Sequence, residues 1–427
     1  MPSYEKARTK SESLNLVYDM KNIKIETATT HKKFNVDGDY DSDFRANRGY
    51  YDGLSLFDNT NIDTWTQEIK FSDENQKIKW IAGIYGDKEE RKQGPFGQEF
   101  PKYVNSTYLG NFIMNEESVT KSYTQAVFGQ AMIPFGDVFE LTLGGRYQKI
   151  DKEINLDMYF HTIGTTTNPI FAYNDKKTWN AFLPKAAFSY KYGENLTVYT
   201  SVSKGYMPGG FNYLASSGAS EENSFDPQTS INYEIGTKYS GDKYVINASV
   251  FRMDIEDIHV YKSINTSSFI TDNAEKAHSQ GIEIEGKYYL ANHIELSGAI
   301  GLIDAKYDSY DAGTKKFDGE KVQNTPEYNG NLGVAYVTNR GIYGRVDAEI
   351  VGKTNYYDSA NCKMVEVDGA IISNAKLGYK NKSWDIYGYI KNITDESYIC
   401  GYLSRPGTAM IEFNNPRTFG IGVKCIF

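Results

Sequence analysis

The chain closes on Asn414-Asn415-Pro416-Arg417-Thr418-Phe419-Gly420-Ile421-Gly422-Val423-Lys424-Cys425-Ile426-Phe427. Phe419, Ile421, Val423, Cys425 and Phe427 alternate with Thr418, Gly420, Gly422 and Lys424, and Ile426 is the one break. Side chains alternate faces along a strand, so this stretch spells an apolar face backed by a small or polar one. In water an exposed strand of this kind invites edge-to-edge aggregation. A strand set into a membrane barrel has reason to look like this.

The same period of two recurs along the chain. Ile78, Trp80, Ala82 and Ile84 follow it, as do Leu141, Leu143, Gly145 and Tyr147, and Ile282, Ile284, Gly286 and Tyr288. Leu332, Val334 and Tyr336 continue it, then Ile342, Gly344, Val346, Ala348 and Ile350. The opposite faces carry Glu283, Glu285 and Lys287, or Arg345, Asp347 and Glu349. No helical stripe exceeds two turns. The 35 Tyr, 22 Phe and 38 Gly against 11 Pro suit β-structure. A length of 427 residues allows two or three soluble domains or one large barrel. No run approaches the length of a transmembrane helix, but a membrane strand needs only about 9–11 residues with half of them facing lipid. The net charge of −9, without a long basic run, argues against nucleic acid as a partner. The N-terminus shows no apolar signal-peptide core.

The connections set the topology. Short ones fall at 21–22, 72–76, 134–138, 191–195, 241–243, 291–293, 338–340 and 380–383. Longer, aromatic-rich ones fall at 35–63, 92–121, 158–177, 208–229, 263–276, 309–325, 357–369 and 394–416. Short and long alternate throughout, which puts every short turn at one end of an antiparallel sheet and every long loop at the other. A sandwich or propeller has no reason to keep that alternation. The fold class expected is all-β, an antiparallel transmembrane β-barrel of about 17 strands. An odd count cannot close with every neighbour antiparallel, so an open seam is expected between Leu14–Met20 and the closing strand.

Several segments then resemble a known family. Leu183-Pro184-Lys185-Ala186-Ala187-Phe188-Ser189-Tyr190, followed by Asn195 to Tyr199 and Ser203-Lys204-Gly205-Tyr206-Met207-Pro208-Gly209-Gly210-Phe211-Asn212, is similar to the mid-barrel signature of TonB-dependent outer-membrane receptors. Tyr233-Glu234-Ile235-Gly236, Val250-Phe251-Arg252-Met253-Asp254, Gly281-Ile282-Glu283 and Lys391-Asn392-Ile393-Thr394-Asp395 follow in family order, and Pro416-Arg417-Thr418-Phe419-Gly420 closes it. Thr66-Gln67-Glu68-Ile69, Trp80-Ile81-Ala82-Gly83 and Ala126-Val127-Phe128-Gly129-Gln130 resemble it upstream. The resemblance implies a Gram-negative outer-membrane location, a 22-stranded barrel and loop capture of a scarce small-molecule ligand such as a ferric siderophore. It implies no enzyme and no cofactor. Residues 1–427 would be the receptor barrel domain, truncated at its N-terminus, with Leu14–Met20 as roughly its sixth strand. The plug, and the TonB contact made through it, would lie outside this sequence. The terminal Phe427 resembles the signal read by the barrel-assembly machinery. A passive porin-like channel is the alternative reading, and a soluble all-β carbohydrate-active protein the third.

The candidate ligand contacts are the loop aromatics Tyr50, Tyr51, Phe57, Phe96, Phe100, Tyr103 and Tyr108, because aromatic side chains give contact area at low entropic cost. The competing reading is an interfacial aromatic girdle. Cys362 and Cys400 fall in the last two long loops on one side; an extracellular disulfide and two free thiols are equally compatible with their spacing. Asp37 to Asp43 has the flavour of a calcium loop but breaks the pattern at Ser42 and Arg48, so it reads as a solvated acidic loop. His31, His161, His259, His278 and His293 show no paired ligand spacing, so no metal site is expected. Glu283, Glu285, Asp347 and Glu349 read as lumen-facing partners of Arg and Lys.

Overall fold

The computed structural model describes all residues except 1–2, 21, 42–54, 74–75, 105–106, 166, 214–222, 264–268, 292, 312–314, 359–360, 362, 406–407 and 426–427. Its strands in the first half are β1 (Tyr4–Asp19), β2 (Lys24–Asp41), β3 (Ser55–Asp73), β4 (Lys79–Val104), β5 (Thr107–Phe135), β6 (Phe139–Thr162), β7 (Phe171–Tyr192), β8 (Leu196–Met207), β9 (Gly210–Phe211) and β10 (Ser224–Phe225). Then come β11 (Gln228–Ser240), β12 (Tyr244–Ser263), β13 (Phe269–Ala291), β14 (Ile294–Ser309), β15 (Tyr328–Val337) and β16 (Ile342–Val351). The last are β17 (Thr354–Asp358), β18 (Lys363–Val367), β19 (Ala370–Lys380), β20 (Trp384–Lys391), β21 (Ile399–Arg405), β22 (Thr408–Phe413) and β23 (Thr418–Cys425).

Seventeen of these form one antiparallel sheet. β1 to β8 pair in chain order, β8 pairs with β11, and β11 to β16 follow, then β19, β20 and β23. The remaining six make three small hairpins, β9–β10, β17–β18 and β21–β22, inside the long connections. Among the described residues β1 is paired only with β2 and β23 only with β20. Alternation over an odd number leaves these two edges running the same way, so the expected seam is open. Accordingly every residue of β1 is exposed.

Every expected short turn lies between consecutive strands of the sheet. Gly136 at φ 64° and Gly193 at φ 65° lie in the left-handed region, where a Cβ would be strained, as does Gly341 at φ 88° just before β16. Several long connections contain more regular structure than expected. The stretch 92–121 is no loop: β4 and β5 stay paired to Val104 opposite Thr107. Asp37 to Asp41 likewise belongs to β2, with Asp37 opposite Asn59 and Lys6, rather than to an acidic loop. The connections after β16 and β20 fold into the β17–β18 and β21–β22 hairpins.

Register explains the two faces. Ile235, Val250, Ile282, Leu302 and Tyr328 stand in one row across five strands, all exposed. Val127, Tyr147 and Phe182 make such a row on β5, β6 and β7. These rows form an outward apolar belt, the face a bilayer takes. Further up the same face polar pairs replace them: Lys149 with Asp151 at 3.1 Å, Glu90 with Lys92 at 2.9 Å, and Arg252 with Asp254 at 2.8 Å.

The inner face is polar, and aromatics on it lie over glycines of the next strand. A Cβ on Gly422 would sit 2.3 Å from the Tyr387 ring, one on Gly378 2.6 Å from Tyr343, and one on Gly236 2.5 Å from Tyr199. In each case Tyr and Gly are direct cross-strand partners. The ring covers backbone that glycine leaves bare, which gives the chain's abundant Tyr and Gly a joint purpose. Among the described residues, close-packed apolar clusters sit above the belt. One joins Ile255, Val260, Ala277, Tyr307, Tyr310 and Phe317, and the other joins Ile154, Leu156 and Phe211.

Candidate functional site

The wall β3 to β6 stands tallest, and its inner face carries the candidate site at the long-loop end. At its top Phe100, Phe112 and Phe160 form a ring cluster with centroids 5.2–6.4 Å apart. Phe96 shares this inner face, since it pairs with Glu116, whose partner on β6 is Met158. Phe57 alternates to the outer face, one residue from Asp58, the partner of Phe96. Tyr108 donates to Asn111 Oδ1 at 2.5 Å, and Asn111 in turn donates to Glu99 at 2.6 Å. Phe57, Phe96, Phe100 and Tyr108 therefore stand on paired strands rather than in loops, because β3, β4 and β5 continue past the belt. Tyr50 and Tyr51 lie outside the described residues, as does the side chain of Tyr103. Sequence reasoning missed Phe112 and Phe160; the signal was their alternation with Asn111 and Ile113 and with Tyr159 and His161.

Below the aromatic cluster is a buried polar layer of Thr60, Gln93, Glu116 and Ser118. Glu116 is 2% exposed, and neither carboxylate oxygen has a hydrogen-bond partner. It lies beyond Lys121 on β5, well above the belt residue Val127. Burial pushes its pKa up to about 8; the Arg91 guanidinium opposes the shift and Asp58 adds to it. Arg91 donates to Gln93 Oε1 at 2.9 Å and stacks 4.8 Å from the ring centre of Tyr213.

Tyr213 belongs to the segment after β8, which turns into the lumen. Lys152 Nζ donates to the Gly209 carbonyl at 2.9 Å, and Lys177 Nζ to Ser224 Oγ at 2.6 Å. On the far side Asn212 and the Thr271 backbone exchange two hydrogen bonds of 2.9 and 2.8 Å. The segment thus bridges β6 and β7 to β13 over the inner wall. It roofs a recess of about 460 Å³ lined by Asp87, Glu89, Thr120, Lys152, Phe211 and Tyr213, among others. Carboxylates, hydroxyls, an ammonium and rings converge there, a mixture that suits reversible binding.

The other candidates resolve as follows. Cys400 is an exposed thiol on β21, and Cys362, its expected partner, lies outside the described residues, as does Phe427. Asp347 pairs with Arg345 at 2.6 Å as expected, whereas Glu285 accepts from Asn247 at 2.7 Å instead of from a cation. Among the described residues no three His, Cys, Asp or Glu side chains gather as metal ligands.

Comparison with known proteins gives a consistent pattern. The model of the TonB-dependent receptor-like β-barrel family matches residues 2–393. The pesticin receptor of Yersinia pestis is 24% identical over 358 residues, which is 82% of this chain and 49% of the receptor. The ferrichrome outer membrane transporter/phage receptor of Escherichia coli is 22% identical over 69% of this chain and 36% of its own. The chain thus spans about half the length, or less, of these relatives. The ferric yersiniabactin uptake receptor of Yersinia pestis superposes with a TM-score of 0.79 at 19% identity, covering 99% of this chain and 61% of the receptor. The siderophore receptor PiuA of Acinetobacter baumannii gives 0.74 at 17% identity over 99% and 64%. At such identities the superpositions show the fold alone.

Proposed function

The chain belongs to the TonB-dependent receptor β-barrel family, whose members are outer-membrane receptors rather than enzymes, and from that premise we propose that it serves uptake of a ferric siderophore. The observation that carries this reading is the cluster of Phe100, Phe112 and Phe160 rings at the inner mouth above the belt, with a polar recess further down the same inner face. A ferric chelate offers flat aromatic or heteroaromatic arms to such rings. Phe96 and Phe100 are the proposed contacts on the tall wall, with Tyr108 beside them; Phe57, Tyr50, Tyr51 and Tyr103 remain further candidates from the sequence. No bond is made or broken. Energy coupling through TonB belongs, in this reading, to a plug segment outside these 427 residues, and Phe427 to recognition by the assembly machinery. The relative named for ferrichrome supports the ligand class.

The test is a fluorescence-quenching titration of the purified protein with a panel of ferric siderophores and their iron-free forms, beside conductance in planar bilayers. Saturable quenching by a ferric form is expected whatever the conductance, because in this reading the plug lies outside these residues. No binding together with large steady conductance would overturn the reading in favour of a passive channel.

A further inference from the structure

We propose that Arg91 is shared between two partners, the Tyr213 ring and the Glu116 carboxyl, so that ionisation of Glu116 draws the guanidinium off the ring and loosens the roof of the inner recess. The device stands above the membrane belt and works without a ligand.

Three groups make the geometry. Arg91 on β4 shares a row with Thr120, and Tyr213 lies over both: its ring centre is 4.8 Å from the guanidinium, and Thr120 Oγ1 donates to its hydroxyl at 3.4 Å. The Arg91 side chain leans upward, because it donates to Gln93 Oε1 in the next row, and its Nε is buried without a partner. Glu116 is one row further up, buried, with both oxygens unpartnered. An unpartnered donor and an unpartnered carboxyl thus flank the Gln93 row from below and above. Tyr213 is part of the roof over the recess lined by Asp87, Glu89 and Lys152.

Magnitudes decide which partner holds the cation. A protonated Glu116 offers Arg91 a neutral hydrogen bond, and the ring keeps the guanidinium. An ionised Glu116 offers a charge-assisted pair, about twice as strong as a neutral hydrogen bond. Inner rows lie about 6.8 Å apart along a strand, and a ring holds a cation within about 6 Å of its centre. A guanidinium that swings up to Glu116 therefore leaves the ring. Phe211, fixed in the apolar cluster with Ile154 and Leu156, keeps the segment from following. Tyr213 is then left with the one long hydrogen bond from Thr120. The other charged groups facing Glu116 are Asp58 from β3 and Arg91 from β4, while β6 presents Met158. With its pKa pushed up to about 8 by burial, Glu116 is about 1% ionised at pH 6 and about 90% ionised at pH 9.

Hydroxyl-radical footprinting of the whole protein in nanodiscs, with the radical dose calibrated at each pH, reads oxidation of the Tyr213 side chain. The unaltered protein should oxidise there about fivefold faster at pH 9 than at pH 6, with Phe211 protected at both. Glu116→Gln should stay slow at both values, and Arg91→Met, which leaves the ring unpinned, should be fast at both. Heat-modifiable gel mobility reports the fold of each variant, and the unaltered protein with Arg91→Met tests the proposal without the Glu116 variant. No rise in the unaltered protein, a rise that persists in Glu116→Gln, slow oxidation of Tyr213 in Arg91→Met, or exposure of Phe211 together with Tyr213 would overturn the proposal.

Discussion

The β4–β5 hairpin and the β20–β23 pair cross the same belt and then part company. β4 and β5 run for 26 and 29 residues and remain paired far above the belt. β20 and β23 run for 8 residues each, and the chain between them makes its own small hairpin, β21–β22. Within the belt the outward rows are alike, because lipid demands the same chemistry everywhere. Above it the two differ in what lies on their inner faces. Met158 and the segment around Tyr213 cover β4 and β5. Around β23 the inner face is covered by Tyr387 and Tyr389 lying over Gly422 and Gly420.

The largest expected effect lies in the tall wall. Glu116 has a folded pKa raised to about 8, so the folded state holds a proton that the opened state releases from its ordinary carboxylate value. The stabilisation is full below that ordinary value and is lost as pH rises toward 8, at about 1.4 kcal/mol per pH unit. Hydrogen exchange at the β4–β5 tip should therefore speed up as pH rises through that window, beyond the intrinsic base dependence of exchange. Glu116→Gln should abolish the extra slope, and an unchanged slope in that variant would assign the effect elsewhere.

The belt comes next. Val127→Arg should cost about 2–4 kcal/mol in denaturant refolding into vesicles, as arginine does near a bilayer midplane. Tyr123→Arg, two steps further up the same face, should cost under about 1 kcal/mol. Equal costs would erase the boundary between belt and extension. The aromatic–glycine joints of the short wall are smaller. Gly422→Val should cost about 1–3 kcal/mol through overpacking against Tyr387, with much of it recovered in Gly422→Val combined with Tyr387→Ala. Smallest is Lys92→Ala. It removes an exposed pair with Glu90 and should change stability by less than about 1 kcal/mol.

The same contrast explains what the sequence could disclose. Inside the belt, alternation such as Leu141, Leu143, Tyr147 is driven by lipid on one side and a polar lumen on the other, so strands, turns and their number are legible. Above the belt, water replaces lipid outside. Glu90 and Lys92 then stand where Ile84 stood, the apolar signal fades, and 92–121 reads as a loop although it is a hairpin. Phe96 and Phe100 could be named as candidates from composition. Their grouping with Phe112 and Phe160 could not, because it depends on register between strands. The same holds for Arg91, which register sets opposite Thr120 and so two inner rows from Glu116, while the chain turn that brings Tyr213 over it has no local signature.

Placement of the belt underlies the receptor reading, and three adjacent positions test it. Nitroxide labels at Val250, Phe251 and Arg252, in the protein reconstituted into vesicles, are compared for collision with oxygen and with a water-soluble nickel chelate. Val250 should favour oxygen, Arg252 should favour the nickel chelate, and Phe251, on the inner face, should not share the oxygen preference of Val250. Equal access of the nickel chelate to all three would contradict a bilayer at this belt.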